Sequence, residues 1–131
     1  MRLTKMTDYS LRLLMYLALK KSDELCSIAE VSKAQKISEA HLMKITHRLS
    51  LAGWLETVRG KGGGIRLGKT ANKINIGAVV RSIESDFDLV ECFSGSVACK
   101  FSNNCKLAGV IDGALSGFLA HLDQYTLADI T

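Results

Sequence analysis

Proline is absent from all 131 residues, which excludes a collagen-like chain. The apolar fraction of 47%, with charges of both signs, excludes disordered and low-complexity classes. No run approaches the roughly 18 consecutive apolar residues that a membrane span needs. The opening Met1-Arg2-Leu3-Thr4-Lys5-Met6-Thr7-Asp8 reaches an acid before any apolar stretch, so it lacks the form of a secretory signal. No set of nucleophile, base and orienting residue stands out to support catalysis. What remains is a soluble, cytoplasmic, non-enzymatic chain, long enough for one compact domain with a real core.

Charge is unevenly distributed. Residues 1–75 hold 14 Lys and Arg against 6 Asp and Glu, whereas residues 76–131 hold 3 against 7. A basic first part joined to an acidic second part suggests a polyanion-binding module with a unit of another purpose attached. The boundary is set at 75/76, within one compact domain overall.

Leu11, Leu14, Met15 and Ala18 recur at helical spacing and predict a first helix over 7–19, capped by Thr4 or Thr7. Lys20 and Lys21 complement its C-terminal dipole before a polar turn. Ser27-Ile28-Ala29-Glu30 has the form of a capping box and predicts a second helix from Ile28 to about Gln35. Ser38 caps a third, which buries Leu42, Ile45, Leu49 and Ala52 and stops at Gly53. This is a helix-turn-helix pattern. Trp54 to Val58 and Ile65 to Leu67 then flank Arg59-Gly60-Lys61-Gly62-Gly63-Gly64, a hairpin with a glycine-rich basic tip. A fourth helix is expected over 76–84, facing the core through Ile76, Val79, Val80 and Ile83. Residues 85–104 read as an irregular loop. From Lys106 to about His121 a long helix carries Leu107, Ile111, Ala114, Phe118 and Leu122, widened by Val110, Leu115 and Leu119. So broad an apolar surface must be buried, and a second subunit would cover it. Gly109, Gly113 and Gly117, four apart, suit close approach of helices at such a seam, the alternative being a soft helix that tertiary contacts rescue. The fold class is therefore mainly α: a winged helix-turn-helix with a two-stranded β wing and a long C-terminal dimerisation helix.

Three groups of residues carry chemistry. Arg59, Lys61 and Arg66 of the wing are placed to neutralise phosphates or to enter a minor groove. The tip is no phosphate-binding nucleotide loop, because no Gly-Lys-Ser/Thr opens a helix there. Ser38, Glu39, His41 and Lys44, near the start of the third helix, are positioned to enter a major groove. Cys92, Cys99 and Cys105 form a Cys-x6-Cys-x5-Cys cluster, and clustered thiols in a reducing compartment point to metal or redox chemistry. The wide spacing suits a segment wrapping an iron–sulfur cluster; zinc or a thiol switch is the alternative. Three thiolates leave a fourth position for Cys26, a carboxylate, a histidine or the partner subunit. Cys26 itself reads as a small buried residue, and His47 and His121 as surface or packing histidines.

These motifs together resemble the NsrR/IscR-type winged-helix regulators of bacteria. The resemblance covers nearly the whole chain. It runs through Leu3-Thr4, Thr7-Asp8-Tyr9-Ser10-Leu11-Arg12, Ser27-Ile28-Ala29-Glu30 and His41-Leu42-Met43-Lys44-Ile45, then through Val58 to Gly68 and the three cysteines. Leu89-Val90-Glu91-Cys92 and Tyr125-Thr126-Leu127-Ala128-Asp129 look most like its nitric-oxide-sensing branch. The resemblance implies a homodimeric repressor on a palindromic double-stranded DNA operator, with one iron–sulfur cluster per subunit held by Cys92, Cys99 and Cys105. It favours [4Fe-4S] over [2Fe-2S]. The fourth ligand would be Asp8 of the partner subunit, held in place by Arg12. The IscR branch uses a histidine three residues after its last cysteine, where this chain has Ala108. Nitrosylation or loss of the cluster would release the operator. Other readings are an iron- or redox-sensing regulator of the same family, a zinc- or thiol-switched winged-helix DNA binder, a small redox protein or thiol enzyme, and a protein-binding winged helix.

Overall fold

The computed structural model describes residues 1–21, 23–95 and 98–131. Ser22, in the expected polar turn, and Ser96 and Val97, in the expected irregular loop, lie outside the described residues. Among the described residues five helices and one hairpin follow in the order α1 (Lys5–Ala18), α2 (Ile28–Gln35), α3 (Glu39–Leu51), β1 (Leu55–Val58), β2 (Gly64–Leu67), α4 (Ile76–Ile83) and α5 (Lys106–Leu122). Short 3-10 turns occupy Ala71–Lys73, Glu91–Ser94 and Leu127–Ile130. Among the described residues no helix is long and apolar enough to cross a membrane.

Caps set the helix starts. Thr4, Ser27, Ser38 and Asn75 each accept a backbone N–H from the first turn that follows. The expected capping box at Ser27 is only half formed. Ser27 Oγ accepts the Glu30 N–H at 3.0 Å, but the Glu30 carboxylate accepts instead from Lys20 Nζ at 2.7 Å and the Tyr16 hydroxyl at 3.2 Å. Lys20, expected to serve the α1 dipole, thus ties α1 to α2. The helix-turn-helix bend places Lys36 at φ 55° in the left-handed region, and the Ser32 hydroxyl donates to the Ile37 carbonyl at 2.7 Å to fix it.

The buried face of α1 differs from the expected one. Thr7, Ser10, Leu13, Leu14 and Leu17 are buried, while Leu11, Met15 and Ala18 lie half-buried at the rim. The helix is packed against α3 on one side and α4 on the other. Its covered arc is therefore wider than one stripe, and its two polar members are satisfied internally: the Ser10 hydroxyl donates to the Met6 carbonyl at 2.6 Å and the Thr7 hydroxyl to Glu84 at 2.6 Å. In α3 and α4 the expected core residues Leu42, Ile45, Leu49, Ile76, Val79, Val80 and Ile83 are all buried; Ala52 is half-buried.

The wing is antiparallel, pairing Leu55 with Leu67, Glu56 with Arg66, Thr57 with Ile65 and Val58 with Gly64. Cys26 adds a one-residue third strand, exchanging backbone hydrogen bonds with Ile65 at 2.9 and 2.8 Å. Gly64 makes that approach possible, since a Cβ there would lie 2.6 Å from the Cys26 carbonyl oxygen.

After α5 the chain returns to the core. Asn75 bridges Thr126, the Leu127 N–H donates to the Ile74 carbonyl at 2.8 Å, and the Leu127 side chain is fully buried. Arg81 of α4 pairs through both guanidinium nitrogens with Asp123, which passes so close to Gly77 that no Cβ fits there. Along α5 itself no residue is buried, and Leu107, Val110 and Phe118 are 64%, 69% and 43% exposed. The Leu127 anchor should be energetically central. Leu127→Ala is expected to lower unfolding free energy by about 2–5 kcal/mol in urea denaturation at fixed protein concentration. Leu51→Ala, at an exposed position, should change it by about 0.5 kcal/mol or less.

Candidate functional site

Helix α3 presents the expected reading residues in different states. Glu39 and Lys44 are exposed at its start. The Ser38 oxygen is engaged as the helix cap, accepting the His41 N–H at 3.2 Å, which leaves its hydroxyl proton as a donor. His41 is half-buried, its ring edge-on to Tyr9 of α1 with centroids 5.2 Å apart. Met43 and His47 are exposed on the face they share with Lys44, so they adjoin the same surface. The i, i+3, i+4, i+7 spacing of Ala40, Met43, Lys44 and His47 carries that signal in the sequence.

On the wing, Arg59 and Lys61 are exposed at the tip, where Gly60 and Gly62 take φ of 93° and 78°. Arg66 stands further down, on β2, with its Nε 3.0 Å from Glu56 Oε2 across the hairpin. The guanidinium holds the Glu56 carboxyl below the usual carboxylate range. Arg66 therefore braces the wing, whereas Arg59 and Lys61 are its outermost cations.

The three clustered cysteines lie on the connection between α4 and α5. Cys92 is exposed in the 3-10 turn Glu91–Ser94, and Cys99 is exposed. Cys105 is half-buried as the N-cap of α5, its Sγ accepting the Ala108 N–H at 3.4 Å. All three are free thiols. Among the described residues no group of three or more His, Cys, Asp or Glu side chains is gathered at metal-binding range. The donor set nevertheless matches an iron–sulfur cluster in kind: three soft sulfurs on one connection, one of them at a helix N-terminus that favours negative charge.

Asp8 lies one turn into α1. Arg12 Nε and Nη2 donate to its two oxygens at 3.0 and 2.7 Å, a fork that fixes the carboxylate plane. Each oxygen retains a further lone pair for another partner. Both side chains are about half exposed, so the pair adds little stability and its value is orientation. The Arg12 guanidinium also lies 5.3 Å from the Tyr9 ring centroid, so Asp8, Arg12, Tyr9 and His41 form one contiguous set. Cys26, by contrast, is fully buried; burial, with Glu30 nearby, pushes its thiol up to about 11.

Helix-turn-helix, basic wing and an exposed reading face define a DNA-binding transcriptional regulator. The profile of the Rrf2 family, described as an iron-dependent transcriptional regulator, matches residues 3–131, and the chain belongs to that family. The HTH-type transcriptional regulator NsrR of Bacillus licheniformis is 52% identical over 131 residues, covering 99% of this chain and 92% of that protein. The NsrR of Bacillus subtilis is 49% identical, covering 99% and 90%. Among solved structures, T. potens IscR matches with a TM-score of 0.79 at 24% identity, covering 99% of this chain and 85% of that one. CymR, the global cysteine regulator of B. subtilis, matches with a TM-score of 0.73 at 25% identity, covering 99% and 95%.

The thiols should differ sharply in reactivity. In folded, metal-free protein at pH 7, iodoacetamide followed by peptide mapping should show Cys92 and Cys99 alkylated and Cys26 spared. Because the folded Cys26 thiol ionises later than the unfolded one, its contribution to stability is present at neutral pH. It is lost as pH rises from the ordinary thiol range to about 11.

Proposed function

We propose that the protein is a homodimeric repressor of a palindromic operator, with one iron–sulfur cluster per subunit as a sensor of nitric oxide. The cluster is [4Fe-4S] in preference to [2Fe-2S]. Cys92, Cys99 and Cys105 of one subunit and Asp8 of the partner subunit hold it, with Arg12 orienting Asp8. When bound, the cluster supplies iron open to attack by nitric oxide, most readily on its carboxylate-held side. Both NsrR relatives, at about half identity over nearly full length, support the nitric-oxide branch.

One observation carries the reading. The three free thiols occupy the connection between the winged helix and α5, and the last of them is the N-cap of α5 itself. Occupancy of the thiols is therefore felt at the first turn of the helix whose apolar face, with Leu107, Val110 and Phe118 exposed, is offered to a second copy. Residues 1–75 act as the DNA-binding module and residues 76–131 as sensor segment and dimer helix. Two α3 helices about 34 Å apart enter successive major grooves, where Ser38, Glu39, His41 and Lys44 meet the bases or phosphates. Arg59 and Lys61 neutralise backbone charge beside them, and Arg66 holds the wing upright. Release of the 92–105 segment from α1 of the partner alters the spacing of the two modules. A change of about 1.4 kcal/mol then weakens operator binding tenfold.

The protein purified without oxygen should give a dimer of two [4Fe-4S] masses in native mass spectrometry, and Asp8→Ala should lose or convert them. A zinc mass, or no metal, would overturn the cluster reading. On DNA, Arg59→Ala and Lys61→Ala should each reduce the slope of log affinity against log salt by about one. Equal slopes for wild type and both variants would remove the wing from the interface.

A further inference from the structure

The Glu84 carboxylate reaches across the chain to α1. Its Oε2 accepts from the Thr7 hydroxyl at 2.6 Å, the Thr4 hydroxyl at 3.3 Å and the Thr4 N–H at 3.2 Å. Thr7 is fully buried and Thr4 is the N-cap of α1, so the carboxylate binds both the cap and the inner face of the first turn. Negative charge at that end also suits the helix dipole. Glu84 is at the same time the C-cap of α4, the last residue before the connection that carries Cys92, Cys99 and Cys105. Residues 86–89 of that connection and Met1 to Thr4 line one cleft of about 570 Å3, so the two segments are neighbours beyond the hydrogen bonds.

We propose that Glu84 is a positioning residue that couples the two cluster sites of the dimer. This rests on the reading that Asp8 serves the partner's cysteine segment. Thr7 immediately precedes Asp8, and the Asp8 N–H donates to the Thr4 carbonyl at 3.0 Å, so the turn that Glu84 holds is the turn that presents Asp8. A group held by one cysteine segment would hold Glu84 more firmly at that segment's root. Glu84 then fixes the α1 first turn of the same chain, and that turn offers Asp8 to the other segment already ordered. The second site then meets a smaller ordering cost, because the turn that presents its Asp8 is already held while its own cysteine segment must still close on the group. This is positive coupling, and loss of either cluster loosens the other site to the same degree.

Native mass spectrometry of dimers loaded to half capacity reads this directly. Independent sites leave half of the dimers with one cluster, whereas a coupling of about fivefold leaves about a third. Wild type should show the smaller share, and Glu84→Ala should return it to half. Glu84→Gln, which retains an acceptor oxygen, should keep much of the wild-type deficit. Thr7→Val, which removes the shortest hydrogen bond but retains shape, should behave as Glu84→Ala does and serves if the alanine variant folds poorly. In cluster-free protein both should speed hydrogen exchange at the Asp8 amide. A half share in wild type, or an unchanged deficit in Glu84→Ala and Thr7→Val, overturns the coupling. If Asp8→Ala lowers loading while those variants do nothing, the ligand reading stands and only the coupling falls. If Asp8→Ala loads normally, both fall.

Discussion

Helix α1 has to satisfy three surroundings with one rigid rod. Its inner arc, Thr7, Ser10, Leu13, Leu14 and Leu17, lies in the core. Its outer face carries the Asp8–Arg12 fork, and Tyr9 meets His41 at the start of α3. The close-packed inner arc resists a local change, so a displacement of α1 moves the helix as a body. A small displacement of α1 is shared by the core, the reading helix and the carboxylate. That constraint makes the helix suited to carry a signal between a sensor and a DNA surface.

The rest of the chain divides the labour around this rod. The hairpin is locked to the core by Cys26 and Gly64, which leaves Arg59 and Lys61 as exposed cations on a fixed stem. At the other end, Arg81, Asp123 and Leu127 pin the exit of α5 to α4 and the core. The body of α5 keeps an apolar face that the chain does not cover. Gly109, Gly113 and Gly117 have nothing within reach of a Cβ, so no contact inside the chain calls for glycine there. The helix is thus pinned at one end and capped by Cys105, a residue of the cysteine segment, at the other.

Much of this was legible in the sequence because it depends on neighbours in the chain. Caps, the helix-turn-helix spacing, the glycine-rich wing and the core faces of α3 and α4 are local patterns, and the structure reproduces them. The inner arc of α1 differs from the expected face because apolar periodicity passes over Thr7 and Ser10, whose hydroxyls are satisfied by Glu84 and the Met6 carbonyl. Lys20 and Glu30 follow the rules for a dipole and a capping box yet satisfy each other, since an ion pair between two helices competes with both local roles. Arg66 reads as one of three wing cations, and its pairing with Glu56 follows from a cross-strand register that sequence order does not display. Glu84 had no signal at all, because its partners are 77 and 80 residues away. The spacing of Cys92, Cys99 and Cys105 identifies a donor set, but spacing alone does not specify how the three thiols come together.

In the proposed mechanism the state of the cysteine segment sets affinity for DNA. The most direct measurement is anaerobic fluorescence anisotropy of an operator fragment at one fixed salt concentration, before and after stoichiometric nitric oxide. Kd should rise tenfold or more, which is about 1.4 kcal/mol. An unchanged Kd, in a sample whose cluster absorbance shows that nitric oxide has reacted, would contradict that mechanism.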